Sequence, residues 1–561
     1  MRHYPHRKLW HAVLLTEVHY SEYIHPVIFP IKEMNMIRGA FAAVLIVVAV
    51  IPVRAQVFAD LKTSKVDYSK ADIEPRKACD ALGHYKTKDM VQIAAVMKQA
   101  AAGAPAFCDV TGILSPEIAF EVSLPSKWNG RFYMIGNGGH AGEALDDAGR
   151  VSQRNAALQQ GFAFAQTNTG HDSRKEPGAT FVLSNPDKAI DYAYRAVHLT
   201  ATTAKDITKE YYGKSVSYAY WNSCSNGGRQ GLIEAERFPE DFDGIIANAP
   251  WVDQTGFTIG AMWNQKALSE APVTAAKMVV VADKVMAKCD AIDGLKDGLI
   301  DDPRKCSFDP VRDVPQCTAG TDRADCLTSA QAAAISKVYS GPVSNGKPFF
   351  PGYMPGSEQV TTLFGGGTGS GWMNVIVSSE PNAKPADFNL AEGTMQYLVH
   401  TPPKPNYDFK TFNFDSDIHL LDAWSKLADA KNPDLSKFKK RGGKLIMTYG
   451  WADSILQPMA GVQFYEQALS KNGPGTKDFF RLFMIPGMSH CAGGIGPDLH
   501  DPMTAIVNWV EKDAAPASIT ASKMVNNQVA RTRPLCPYPQ VARYGGQGSI
   551  DDATNFRCVA P

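Results

Sequence analysis

The 561-residue chain has no excess charge of either sign: Lys and Arg together number 57, and so do Asp and Glu. No global field draws it to nucleic acid or to an anionic membrane surface, and the expected ligand is small and roughly neutral. A long apolar run is also missing. The only strongly apolar stretch, Ala40 to Val53, covers about fourteen residues, short of the ~18–20 that a helix needs to cross a bilayer, so stable membrane association is not expected. No solenoid repeat is visible. The run GGGTGSG at 365–371 lacks the Lys-Ser/Thr of a phosphate loop and a preceding strand, and GNGGHA at 136–141 lacks the third glycine of a dinucleotide fingerprint. Both therefore read as loops rather than nucleotide sites.

Arg38 precedes the apolar run and Val53-Arg54-Ala55 follows it, which is the anatomy of a cleaved signal peptide. The mature chain is expected to begin near Gln56. Residues 1–33 are charged, aromatic and His-rich and do not belong to such a leader, so translation is expected to start at Met34 or Met36. No cysteine lies between the run and Cys79, which excludes a lipid-modified N-terminal cysteine. Ten cysteines behind an export signal imply an oxidising compartment, secreted or periplasmic, with room for five disulfides.

The length calls for a core domain with a large insertion rather than one small module. Arg131 to Gly142 (RFYMIGNGGHAG) is an apolar strand breaking into a glycine turn. SVSYAYW, from Ser215 to Trp221, runs through SCSNGG into RQGLIEAERFP, whose spacing is helical. KLIMTY leads into GWADSILQP, and FFRLFMI leads into PGMSHCAGG. Strands alternating with helices predict an α/β fold with a mostly parallel sheet, its first part in 56–250 and its second in 441–561. Between them, 251–440 is read as an inserted lid domain of cysteine-framed loops with a helix from about Ser329 to Tyr339, where Thr328 and Gln331 have capping-box spacing.

A serine hydroxyl becomes a nucleophile when a base takes its proton, and the base must be held in one tautomer by a third group. Ser225 lies in Ser223-Cys224-Ser225-Asn226-Gly227 between a strand and a helix, the setting of a nucleophile elbow with serine in place of the first glycine. Asp453 and His490 follow, each in a loop after an apolar strand, in the chain order of α/β-hydrolases. Singly each has a bland reading, as a turn serine, a solvated Asp or a loop-capping His; the three at strand ends point to catalysis. Cys224 precedes the nucleophile and Cys491 follows the base. If they pair, neighbouring Cα spacings of ~3.8 Å and a disulfide span of ~5.5–6 Å put the two catalytic Cα atoms within roughly 13 Å.

Cys-Ser, a distant Asp and His-Cys resemble the signature of the tannase and feruloyl esterase family, and CSNGGRQGLIEAERFPEDFDGIIANAP is similar to that family's elbow region throughout. The likeness covers roughly Cys79 to Cys558. It implies the α/β-hydrolase fold, the pair Cys224–Cys491, and the further pairs Cys79–Cys108, Cys289–Cys306, Cys317–Cys326 and Cys536–Cys558. An oxyanion hole needs two donors: the Asn226 backbone N–H is one, and by analogy with the hydrolase fold the glycine loop supplies the other, Gly138 or Gly139, with Gly138 preferred.

In CDAIDGLKDGLIDD (289–302) the acids Asp290, Asp293 and Asp297 crowd together with glycines after two of them. Hard oxygen ligands suit calcium, and no histidine is near for zinc; the bland reading is two solvated Asp-Gly turns. The resemblance implies a structural calcium ion held by these three side chains and by the carbonyls of Leu295 and Leu299.

The expected activity is hydrolysis of an aromatic-acid ester through an acyl-enzyme, and the resemblance implies gallate or hydroxycinnamate esters. Phe364, Trp372, Tyr397 and Tyr407 are candidates for an acyl pocket. The family also contains hydrolases of a terephthalate monoester, but His400 and Lys404 are the only basic residues between Pro385 and Phe409, and no arginine is there to clamp a second carboxylate. A catalytically silent secreted binding protein is the alternative from another class.

Overall fold

The computed structural model describes residues 70–561 apart from 102, 363–367 and 381–382. The leader and start-site expectations for residues 1–55, and Phe364, lie outside the described residues. One large sheet is built from β1 (Met90–Lys98), β2 (Phe107–Leu114), β3 (Ile118–Pro125), β4 (Arg131–Met134), β5 (Ala163–Thr167), β6 (Tyr218–Cys224), β7 (Gly244–Asn248), β8 (Lys444–Gly450) and β9 (Phe480–Ile485). Their spatial order is β1-β2-β3-β5-β4-β6-β7-β8-β9. From β5 to β9 every neighbour is parallel, as an α/β-hydrolase core requires. β1, β2 and β3 pair antiparallel, and β3 meets β5 antiparallel, an edge the sequence reading did not foresee.

Parallel neighbours need crossovers, supplied by helices Ala148–Gln159, Ala196–Tyr212, Asn226–Arg237 and Pro458–Asn472. These cover both faces, so β5 and β8 are buried almost end to end and read as unbroken apolar runs. Successive side chains alternate between faces: Trp221, Ile245 and Met447 enter one core with Leu232, while Tyr220, Ile246 and Ile446 enter the other with Trp509.

The chain leaves the sheet after Asn248 and rejoins it at Lys444. The intervening segment has a core of its own in which Met278, Val281, Ile335 and Val338 gather around Trp372. The helix Ser329–Ser340 closes its capping box as its spacing predicts: Thr328 Oγ1 accepts from the Gln331 N–H and Gln331 Oε1 from the Thr328 N–H. Trp372 is fully buried with Nε1 donating to Ser357 Oγ, which corrects its assignment to an acyl pocket. Tyr407 packs against the cluster of Ile259, Met262 and Phe412. Ala430, Leu435 and Phe438, inside the span read as lid, pack into the main core.

Two small sheets follow β9. Leu499–His500, Ile519–Val525 and Gln528–Leu535 form one, and Val541–Tyr544 with Phe556–Val559 the other. The hairpin turn Asn526-Asn527 has positive φ at both residues (51° and 60°), the geometry that matches a two-residue turn to twisted strands. The disulfides are Cys79–Cys108, Cys224–Cys491, Cys289–Cys306, Cys317–Cys326 and Cys536–Cys558. Among the described residues no helix is long and apolar enough to cross a membrane.

Candidate active site

β6 ends at Cys224 and the next helix begins at Asn226, so the chain reverses within Ser225. There φ is 63° and ψ is −126°, a conformation that costs a side chain about 1–3 kcal/mol and persists only where the surroundings enforce it. Close approach enforces it here. A Cβ at Gly227 would stand 2.0 Å from Ser223 Oγ, and one at Gly228 would stand 2.7 Å from the Asn248 carbonyl oxygen; serine is tolerated at 223 because glycine faces it. The Ser225 N–H donates to the Asn248 carbonyl and the Trp251 N–H to the Ser225 carbonyl, both at 3.0 Å, which fastens the elbow to the end of β7.

Asp453 follows β8 and His490 follows β9. Asp453 is fully buried. Its Oδ1 accepts the N–H groups of Ile455 and Leu456, each at 2.9 Å, and its Oδ2 lies 2.8 Å from His490 Nδ1. A carboxylate only accepts, so Nδ1 carries a proton, and of the two neutral tautomers this bond selects the one with its lone pair on Nε2, the form in which a histidine takes a proton from serine. Cys224 and Cys491 are bonded with Cα atoms 5.9 Å apart, which holds the Cα atoms of Ser225 and His490 within about 13.5 Å. Both sulfurs lie within 4.8 Å of a His490 ring nitrogen; being bonded to each other, they make no metal site.

Gly138 departs from expectation. Its N–H donates to Glu143 Oε1 at 2.9 Å, while Glu143 Oε2 takes Asn137 Nδ2 (2.9 Å) and Arg150 Nη1 (2.7 Å). A donor already bonded to a carboxylate is not available to an oxyanion, so the preference for Gly138 is corrected toward Gly139, whose N–H meets no acceptor among the described residues. Asn226 opens its helix, where the first N–H groups have no intrahelical partner. Beneath it Arg229 is fully buried and bonds neutral oxygens: Asn226 Oδ1 at 2.7 Å and the carbonyls of Ala428, Ala193 and Tyr192 at 2.7, 3.0 and 3.2 Å. Among the described residues no carboxylate is hydrogen-bonded to Arg229, and its charge adds to the positive helix end. Two histidines border the glycine loop. Burial drives His140 down to about 3 and His171 to about 4, so both are neutral near pH 7. His140 Nε2 is 3.0 Å from Thr394 Oγ1, in a π-turn of the inserted segment.

The acidic loop lies between Cys289 and the C-terminal sheets. Gly294 and Gly298 turn it with φ of 96° and 78°. Asp290 Oδ1 accepts from the Asp297 and Gly298 N–H groups, Asp293 Oδ1 from the Leu295 N–H, and Asp297 Oδ2 from Arg533 Nη2 at 2.6 Å. Among the described residues nothing donates to the carbonyls of Leu295 and Leu299. Burial and neighbouring Asp293 push Asp301 up to about 8. Three carboxylates, two unbonded carbonyls and this crowding are a donor set of oxygen alone, which fits a hard cation. His198, Glu234 and Asp241 also converge, but there Lys205 Nζ already bonds Asp241 and burial pushes the Glu234 carboxyl well up, so the cation's place is filled.

Glu143, Arg229 and Tyr192 escaped the sequence reading. Glu143 directly follows a quoted motif and Arg229 lies inside one, so both were open to it; Tyr192 sits in a π-turn, Asp191–Arg195, which leaves no periodic trace.

Residues 99–559 match the family model "Tannase and feruloyl esterase". The chain is 32% identical over 529 residues to a mono(2-hydroxyethyl) terephthalate hydrolase of Piscinibacter sakaiensis, covering 83% of this chain and 87% of that one. It is 32% identical over 457 residues to a probable feruloyl esterase of Arthroderma benhamiae, covering 78% and 81%. The crystal structure of feruloyl esterase B from Aspergillus oryzae superposes with a TM-score of 0.72 at 28% identity, over 86% of this chain and all of that one. With the strained serine, the paired Asp and His and the disulfide between them set on this fold, the chain is a carboxylic ester hydrolase and belongs to the tannase and feruloyl esterase family.

Proposed function

We propose that this enzyme is secreted and cleaves galloyl or hydroxycinnamoyl esters through an acyl-enzyme on Ser225. The observation that carries the mechanism is the 2.8 Å contact of His490 Nδ1 with a buried Asp453 whose other oxygen is already engaged. His490 Nε2 takes the Ser225 proton as Oγ attacks the ester carbonyl. The N–H groups of Asn226 and Gly139 receive the developing oxyanion. His490 then gives its proton to the departing alkoxide, and a water activated by the same nitrogen releases the acid and restores Ser225.

The acyl group is assigned to the cleft of about 330 Å³ between the glycine loop and the inserted segment, lined among others by Gly139, His140, Asn389, Gln396 and Tyr397. It has the size for one aromatic ring. Its lining includes no Lys or Arg and its histidine is neutral, which favours a phenolic acyl group over one with a second carboxylate. Methyl gallate, methyl ferulate and chlorogenate are expected to outpace a terephthalate monoester in kcat/KM by at least ten-fold, and the reverse order would overturn the assignment. Ser225→Ala is expected to abolish turnover, and a fluorophosphonate to label the parent at Ser225; an unlabelled parent would mean a binding protein.

A calcium ion at Asp290, Asp293, Asp297 and the carbonyls of Leu295 and Leu299 would screen the crowded carboxylates and pin the loop to Arg533 and the C-terminal sheet. Chelation by EDTA is expected to lower the melting temperature by several degrees, with recovery on adding Ca²⁺ and not Mg²⁺, whose smaller octahedral shell suits this loop poorly. An unchanged melting curve would remove the ion from the account.

A further inference from the structure

One hydroxyl stands between the glycine turn and the nucleophile elbow. Tyr192, fully buried, places its OH 3.0 Å from the Gly139 carbonyl oxygen and 3.3 Å from Asn226 Oδ1. The direction of this bond follows from its neighbours. Trp424 Nε1 donates to Gln254 Oε1 at 2.8 Å, which leaves the Gln254 amide nitrogen to donate to the Tyr192 oxygen at 2.7 Å. The hydroxyl therefore accepts from Gln254 and sends its own proton the other way. Asn226 Oδ1 already receives Arg229 Nε at 2.7 Å, so the proton goes to Gly139, the shorter contact. The ring is held as firmly as the hydroxyl: Trp424 stacks on it at 6.1 Å and 14°, and the Arg229 guanidinium covers it at 5.0 Å.

Gly139 needs such a partner. It is a glycine at φ 39°, with no Cβ to restrict its torsions, and its N–H and its carbonyl belong to peptide planes that meet at its Cα. The turn is closed on one side by the Ala141 N–H donating to the Gly138 carbonyl at 2.7 Å; on the other, Tyr192 grips the Gly139 carbonyl. Gln254 and Trp424 both come from the segment between β7 and β8, so that segment reaches the reaction centre through this ring.

We propose that Tyr192 is a positioning residue of the oxyanion hole: its hydroxyl sets the Gly139 turn against Asn226, and the inserted segment sets Tyr192 through Gln254 and Trp424. The inference rests on Gly139 and Asn226 being the oxyanion donors. A hydrogen-bond donor aimed at a developing charge acts on the transition state and little on the bound ester, so its misplacement lowers kcat and spares KM.

Tyr192→Phe keeps the ring and its stacking and removes the grip. It is expected to lower kcat by about 30- to 100-fold, with KM within about two-fold of the parent. Affinity for a trifluoromethyl ketone, which forms a tetrahedral adduct on Ser225, is expected to fall by the same factor, while affinity for the product acid stays unchanged. Gln254→Met, which leaves the hydroxyl but removes its anchor, is expected to show the same split at a smaller size, and it keeps the question open to test if Tyr192→Phe folds poorly. A kcat within two-fold of the parent in Tyr192→Phe overturns the proposal, and so does a loss of kcat without loss of affinity for the ketone. Ser225→Ala separates the two readings: if it retains turnover the triad fails, whereas turnover lost there and kept in Tyr192→Phe overturns the clamp alone.

Discussion

Asp453→Asn is expected to lower kcat by about four orders of magnitude while leaving KM and the melting temperature near those of the parent. The reason lies in how the two carboxylate oxygens are used. Oδ1 takes two backbone N–H groups, from Ile455 and Leu456, and a nitrogen in that place would face two donors. The amide of the variant must therefore keep its oxygen there and turn its NH₂ toward His490 Nδ1. A donor facing Nδ1 forces the ring proton onto Nε2, the nitrogen that should accept the proton of Ser225. The base is thus present, packed and in the wrong tautomer. The variant also loses the negative charge that steadies the imidazolium, which acts in the same direction. A ten-thousand-fold loss corresponds to about 5 kcal/mol at the barrier, while the fold keeps its backbone bonds at Oδ1. Steady-state kinetics beside a thermal melt check both halves, and a loss under ten-fold would mean that Asp453 does not set the tautomer.

The triad was legible because each member announces itself locally. An apolar run ends, a turn begins, and a Ser, Asp or His follows, with cysteines adjoining two of them. The choice between Gly138 and Gly139 was not legible, since it turns on whether the side chain of Glu143 folds back onto a backbone N–H, and nothing in GNGGHA encodes that. Tyr192, Gln254 and Trp424 lie far apart in the chain, the last two at opposite ends of the inserted segment, and meet only in the folded protein. Aromatic residues were the least readable class. Trp372 sits beside a glycine-rich loop as a binding residue would, yet it is a core side chain whose indole N–H is satisfied by Ser357. The antiparallel edge escaped because Met90–Lys98 is exposed along most of its length and has no clean alternation. The Asn526-Asn527 turn, with Val525 before it and Val529 two residues after it, was available as a hairpin signal and lies inside the first C-terminal sheet.

Removing the disulfide as Cys224→Ala with Cys491→Ala is expected to cost stability and turnover through separate routes. The bond closes a loop across 267 residues, and the chain-entropy account of such a closure gives on the order of 5 kcal/mol, enough to lower the melting temperature markedly. Turnover responds to local geometry instead. Cys491 is held at φ 65°, a conformation disfavoured for any residue but glycine, and without the bond the alanine that replaces it relaxes and carries His490 with it. Other restraints limit the shift. Asp453 still grips Nδ1, the Ser489 N–H still donates to the Gly493 carbonyl at 3.1 Å, and Lys523 and Asp498 still hold Gly494 and Gly493. A displacement near 1 Å costs about a hundred-fold in rate, so a loss of that order in kcat is expected, well short of the Asp453→Asn effect because the tautomer survives. The rates must be compared at a temperature where the variant is fully folded, with circular dichroism as the check. At that temperature an undiminished kcat would show that the bond braces the fold and leaves the Ser225–His490 alignment to Asp453 and the loop.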